Sequence, residues 1–172
     1  MESDIEILKW ILEKYNREKA RKKRLDARRE RLVEEHNNPI HGTQYSPLPR
    51  SNKVGDGAAG ILFRIAEVED RIVEQQAAAE KAAIQVMDIL DYLPEASTER
   101  DIFELRYEDS LEWEDISREV HLSRSQCHRR HKAALESMLQ NKRITKIIEE
   151  ARPAYERARL LGEIDDEDPE EI

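Results

Sequence analysis

Between Ile61 and Leu93, residues on one helical face return in alternating steps of four and three: Ile61, Ile65, Val68, Ile72, Gln75, Ala79, Ala82, Val86, Ile89 and Leu93. Nine of these ten are apolar, and the run lasts more than four heptads. A repeat of about 3.5 residues marks an α-helix that lays one stripe against another helix, whereas a half-buried strand would alternate with period two. The stretch from Ala58 to Leu93 is therefore expected to be one long helix, closed by Pro94, with a seam that needs a helical partner. Gln75 is the polar interruption of the kind that fixes register in such seams. Small residues around Ala77 to Ala83 allow close approach there. The seam set that bears on assembly is Ile61, Ile65, Val68, Ile72, Gln75, Ala79 and Val86.

Residues Asp4 to Asn37 supply one candidate partner. They read as a single helix capped by Ser3 or Asp4, with Ile5, Leu8, Ile11, Leu12 and Tyr15 as its opening stripe. Its middle is nearly all charged. Ile11, Leu25 and Leu32 share a heptad position in which Glu18 is the odd member. At about 1.5 Å per residue the helix would reach roughly 50 Å, too long for a compact globule and suited to a coiled arm. Asn37-Asn38-Pro39 ends it, because proline disfavours the α conformation of the residue before it. Residues 39–57 hold three prolines and three glycines and read as a linker. The two long helices then form an antiparallel hairpin, an arm over residues 1–94 with its linker at 38–57. A second copy of the chain is the other candidate partner, and both arrangements can hold together; a homo-oligomer, preferably a dimer, is expected.

The stretch from Leu111 to Leu139 has the layout of a helix-turn-helix. Trp113, Ile116 and Val120 give a short amphipathic helix, His121-Leu122-Ser123 a tight turn, and Ser123 an N-cap for a second helix. That helix opens with Arg124, Ser125 and Gln126 and runs on through His128, Arg129, Arg130 and Lys132, with Cys127, Ala134, Leu135 and Met138 inside. A basic, exposed N-terminal half held by a small apolar core is what a major-groove reader needs. An ordinary helical hairpin with solvated charges has the same spacing. Ahead of it, Ser97 to Asp101 reads as a helix start with Thr98 as N-cap. The helix that follows brings Ile102, Phe103 and Tyr107 to a three-helix core with Trp113, Ile116, Val120, Leu122, Cys127 and Leu135. Residues 95–141 thus form the second domain, residues 142–162 a C-terminal helix bent or interrupted at Pro153 and stopped by Gly162, and residues 163–172 an acidic disordered tail.

Trp113-Glu114-Asp115-Ile116, Leu122-Ser123-Arg124-Ser125 and Ala134-Leu135 resemble the promoter-reading domain, region 4, of the sigma-70 family. The resemblance spans Thr98 to Leu139, under a third of the chain. Where the family usually has a glycine in the turn this chain has His121, and histidine is among the residues that tolerate positive φ. By resemblance, Arg124, Ser125 and Arg129 stand at base-reading positions, and Gln126, His128, Arg130 and Lys132 at backbone-contacting ones. The wider layout, a two-helix arm interrupted by a Pro/Ser/Arg/Asn loop (Pro47 to Asn52) and then a sigma-like reader, is similar to late-transcription regulators of the ArpU and RinA type from phages of Gram-positive bacteria. It implies a sequence-specific DNA-binding regulator whose partners are double-stranded DNA and, beside it, host RNA polymerase, in the bacterial cytoplasm. No counterpart of a promoter-melting region is present. Two other readings stay open: an interaction protein that binds polymerase or another regulator through its sigma-like module, and, third, the DNA-recognition subunit of a packaging terminase, a family that usually places its reader at the N-terminus.

A net charge of −9 argues against DNA binding only as an average. Arg17 to Arg31 holds nine basic residues against three acids, net +6, and Arg124 to Lys146 seven against one, again +6. From Glu149 onward ten acids meet three arginines, net −7. Screening confines each field to about 10 Å, so local patches decide attraction to phosphate. No apolar run is long enough for a membrane span, and the N-terminus lacks the pattern of a signal peptide. The single cysteine excludes an internal disulfide. Cys127 and His131 lie one helical turn apart, but no second pair has ligand spacing, so no metal is expected and Cys127 reads as a core residue. No phosphate loop, nucleophile elbow or paired carboxylates appear, so neither enzyme activity nor a cofactor is expected.

Overall fold

The computed structural model describes residues 2–38 and 58–164. The linker at 39–57 and residues 165–172 of the acidic tail lie outside the described residues. Within them every regular element is helical: α1 (Glu2–Leu12), α2 (Lys14–Asn37), α3 (Ala58–Leu90), α4 (Thr98–Phe103) continued by a π-helical segment (Glu104–Glu108), α5 (Trp113–Glu119), α6 (Arg124–Met138) and α7 (Lys142–Leu160). The protein is all-α. None of the described helices is long and apolar enough to cross a membrane.

The chain divides into two units, one of residues 17–80 and one of residues 1–16 with 81–172. In the first, α2 and the opening two-thirds of α3 meet along the heptad stripe. Leu32, Val68 and Ala79 are buried there, with Leu25, Ile61, Ile65 and Ile72 half-buried. The Gln75 amide donates to the Glu18 carboxylate, and also to the Glu18 carbonyl at 3.2 Å. The polar interruptions of the two stripes thus satisfy each other. Further along α2, Arg29 pairs with Glu69 at 2.6 Å. As residue numbers rise along α2 they fall along α3, so the two helices run in opposite senses.

The second unit corrects several expectations. Residues 4–37 are two helices, parted at Glu13, and α1 lies in this unit rather than with the charged part of α2. Its buried residues Ile7, Leu8, Ile11 and Leu12 make an apolar face too broad for a two-helix seam and suited to a core of several helices. That core joins them to Val86, Ile89, Leu90 and Leu93, to Phe103 and Tyr107, to Leu135 and Met138, and to Ile144, Ile148 and Tyr155. Residues 1–16 and 81–94, grouped with the arm by their periodicity, therefore pack with the sigma-like segment, as does α7. Asp4 accepts from Arg152 at 2.5 Å, and this hydrogen bond is the chief reason its carboxyl is held below the usual range. Trp10 meets Tyr155 edge to face at 5.8 Å.

Local signals fared unevenly. Ser97, not Thr98, caps α4: its extended backbone places its hydroxyl 3.1 Å from the Arg100 N–H. Helix α3 ends at Leu90, ahead of Pro94, and Leu93 packs from the turn that follows. Pro153 sits inside α7 without interrupting it, its ring on the exposed side. Gly162, with φ 67°, does stop that helix. The Glu163 N–H reaches the Ala158 carbonyl at 2.9 Å and the Gly162 N–H the Arg159 carbonyl at 3.0 Å, the paired bonds of a Schellman cap.

Candidate nucleic-acid interface

Helix α6 is held from two sides. Near its start Cys127 packs with Ile102, Trp113 and Ile116, and Leu105, Leu111, Val120 and Leu122 close over them. Further along, Ala134, Leu135 and Met138 enter the larger core. Burial pushes the Cys127 thiol above its ordinary value, which suits an inert packing residue. The connection from α5 turns sharply at His121, whose φ is 54°. Ser123 then caps α6: its hydroxyl accepts from the Gln126 N–H at 3.3 Å, and the Gln126 side chain accepts from the Ser123 N–H at 2.9 Å. This reciprocal capping box satisfies two otherwise unpaired donors and rigidifies the first turn.

Between the two cores lies a run of rings. The Trp113 and His128 centroids are 4.2 Å apart, and Trp113 and His131 stand edge to face at 5.1 Å. His131 is buried, Nε2 lying 2.8 Å from the Tyr107 hydroxyl and its ring 4.7 Å from Phe103. The Arg106 guanidinium sits over Trp113 at 5.2 Å. Sequence reasoning missed His131 as a buried polar residue. The only available signal was its spacing, four after Cys127 and four before Leu135 on the inner face.

The residues assigned to DNA divide by position. Arg124, Ser125, Gln126, Arg129, Arg130 and Lys132 are all exposed, while His128 is half-buried. At about 100° per residue, Ser125, Arg129 and Lys132 share the face opposite Cys127 and His131. Arg124 lies in line with His131 instead and is exposed as the first residue of the helix, Nε donating toward His128 Nε2 at 3.4 Å. His128 is therefore occupied on both sides, stacked on Trp113 and facing Arg124. Arg130 points the other way, to Glu99 of α4 at 2.6 Å. The Glu99 carboxyl is held below its ordinary range first by its own backbone N–H and then by Arg130. Gln126 spends its side-chain oxygen on the cap. Among the described residues no group of three or more His, Cys, Asp or Glu is placed to hold a metal ion.

The arrangement offers a rigid, capped helix whose outer face carries cations and a hydroxyl. Such a face can donate hydrogen bonds to base edges and phosphates. The chain matches no family model, and the comparisons with curated proteins and with solved structures found no match.

Proposed function

We propose that this protein is a sequence-specific DNA-binding transcription regulator that reads the major groove with α6 and oligomerises through the paired helices of residues 17–37 and 58–80. The observation that carries the reading is the exposed start and outer face of α6, where Arg124 opens the helix and Ser125, Arg129 and Lys132 stand outward, on a helix fixed by a capping box and two cores. Arg124, Ser125 and Arg129 contact base edges, as their place in the sigma-like pattern implies. Lys132 and Gln126 contact phosphate. His128 serves by steadying Arg124, and Arg130 exchanges its exposed pairing with Glu99, worth about 0–1 kcal/mol, for a phosphate.

Selection of bound sequences from a random duplex pool at stated salt tests this directly, since affinity without salt is uninterpretable. With the selected site in hand, Arg124→Ala should relax specificity. A lost bidentate arginine–guanine contact is worth about 1–3 kcal/mol, or roughly 5- to 150-fold in discrimination. Lys132→Ala should weaken all sequences alike and lower the salt slope by about one. If no sequence is enriched, or both variants bind like the parent, α6 is not a reader. Capture of RNA polymerase without DNA affinity would instead favour the interaction-protein reading.

A further inference from the structure

The unit formed by residues 17–80 buries one stripe of α3 and leaves another in the open. Leu62, Phe63 and Val73 are 52%, 74% and 70% exposed. Leu62 and Val73 are not scattered. At about 100° per residue, Leu62, Ala66, Val73 and Ala77 fall within an arc of about 60°, on the side away from the seam residues Ile61, Val68 and Ala79. Single exposed apolar residues need no explanation, but a helix with two apolar stripes and one partner leaves a face to be covered.

Charge indicates by what. Residues 58–80 of α3 hold five acids against two arginines, net −3, and Asp70, Glu74 and Glu80 are exposed beside the open stripe. Residues 17–37 of α2 hold nine basic residues against five acids, net +4. On the side of α2 away from Glu18, Leu25 and Leu32, the small residues Ala20 and Ala27 lie exposed among Lys23, Arg24 and Arg31. Among the described residues none of these three cations has an acidic partner; Arg31 donates only to the Ala27 carbonyl, at 3.3 Å. A stripe of bulky apolar side chains edged by acids thus exists in the same unit as a stripe of alanines edged by bases.

We infer that copies of this chain associate with the open face of α3 from one lying against the outer face of α2 from the next, Val73 and Leu62 seating on the alanine stripe and Asp70, Glu74 and Glu80 facing Lys23, Arg24 and Arg31. The two surfaces lie on opposite sides of the α2–α3 pair, so the contact is head-to-tail and each copy keeps one surface for a further copy. This specifies the interface of the oligomerisation proposed above and rests on that reading. A direct α3–α3 pairing would set acid against acid.

The test uses the full chain in sedimentation equilibrium at tens of micromolar, with circular dichroism to follow helix content. The parent should show masses that rise with concentration above the 20.2 kDa of one chain, and Val73→Glu the mass of one chain with its helices kept. The deciding pair is a chain carrying Lys23→Glu, Arg24→Glu and Arg31→Glu and a second carrying Asp70→Lys, Glu74→Lys and Glu80→Lys. Each alone should be monomeric and an equimolar mixture associated, because only contacts between unlike chains restore opposite charge. This result decides the matter even if Val73→Glu fails to fold. A monomeric parent overturns both this interface and the oligomerisation reading. An associating parent whose reversed chains each still associate overturns the interface alone. If the α2-reversed chain still associates but loses DNA affinity, the basic face serves phosphate and the inference fails.

Discussion

The buried contact between Tyr107 and His131 sets the strongest test of how α6 is held. The Tyr107 hydroxyl lies 2.8 Å from His131 Nε2, and both residues are almost wholly buried. Tyr107→Phe deprives the imidazole of that partner, and leaving a buried polar group short of a hydrogen bond costs about 1–3 kcal/mol. His131→Leu does the same to the hydroxyl and also removes ring contacts with Phe103 and Trp113, adding about 0.5–1.5 kcal/mol. The double variant removes both polar groups at once. Replacing both partners of a buried bond by apolar groups is nearly neutral for the bond itself, so the two losses should fall short of additive by about 1 kcal/mol or more. Urea denaturation followed by circular dichroism reads this. With a slope of about 2 kcal/mol per molar, Tyr107→Phe should lower the midpoint by about 0.5–1.5 M. Additivity of the two single changes within about 0.3 kcal/mol would show that the rings pack but the bond contributes nothing.

Glu108 sits among Glu104, Asp109 and Asp91, and burial first, then these acids, raise its pKa above the ordinary value. A carboxyl raised on folding disfavours the native state once it ionises, so stability falls as pH rises from its unfolded to its folded value; Glu108→Gln should raise the urea midpoint at neutral pH and leave it unchanged in acid. Ser123→Ala removes the cap of α6 and should cost about 0.5–2 kcal/mol of stability, together with DNA affinity, since Arg124 and Ser125 occupy the turn it fixes; unchanged melting would refute the capping role. Replacing both Glu18 and Gln75 by Leu should raise the melting temperature of the paired helices while broadening the distribution of masses in sedimentation, as loss of a polar seam contact relaxes register. A fragment of residues 95–162 should lack cooperative unfolding, because it omits Ile7, Leu8, Val86 and Ile89 from the core.

What could be read ahead of the structure was whatever a short window of chain decides. The cap at Ser123, the stop at Gly162, positive φ at His121 and the burial of Cys127 are each set within a turn or two. The helical character of the whole follows from periodicity, and the meeting of Glu18 with Gln75 was prefigured as two odd members of two stripes. Destinations were not legible. Ile7, Leu8, Ile11 and Leu12 look much like the start of a coiled coil, and nothing local tells that they join Ile144 and Ile148 instead. His131 was opaque for the same reason: Phe103, Tyr107 and Trp113, which make its surroundings, come from other elements. The half-burial of His128 likewise depends on Trp113 reaching across from α5, and the orientation of Arg130 on Glu99 of α4.

The pairing of α1 with α7 has a consequence for how the protein is made. Asp4 and Arg152 are 148 positions apart, and at about 5–20 residues per second a ribosome needs roughly 7–30 s to travel between them. Ile7, Leu8 and Ile11 therefore emerge long before Ile144, Ile148 and Tyr155 exist to cover them. The paired helices of residues 17–80 can form while synthesis continues, whereas the unit that carries α6 has to await almost the last of its described residues. A nascent chain halted in mid-synthesis would present a finished arm and an unpartnered amphipathic N-terminus, the state in which a chaperone would find it and from which aggregation would begin.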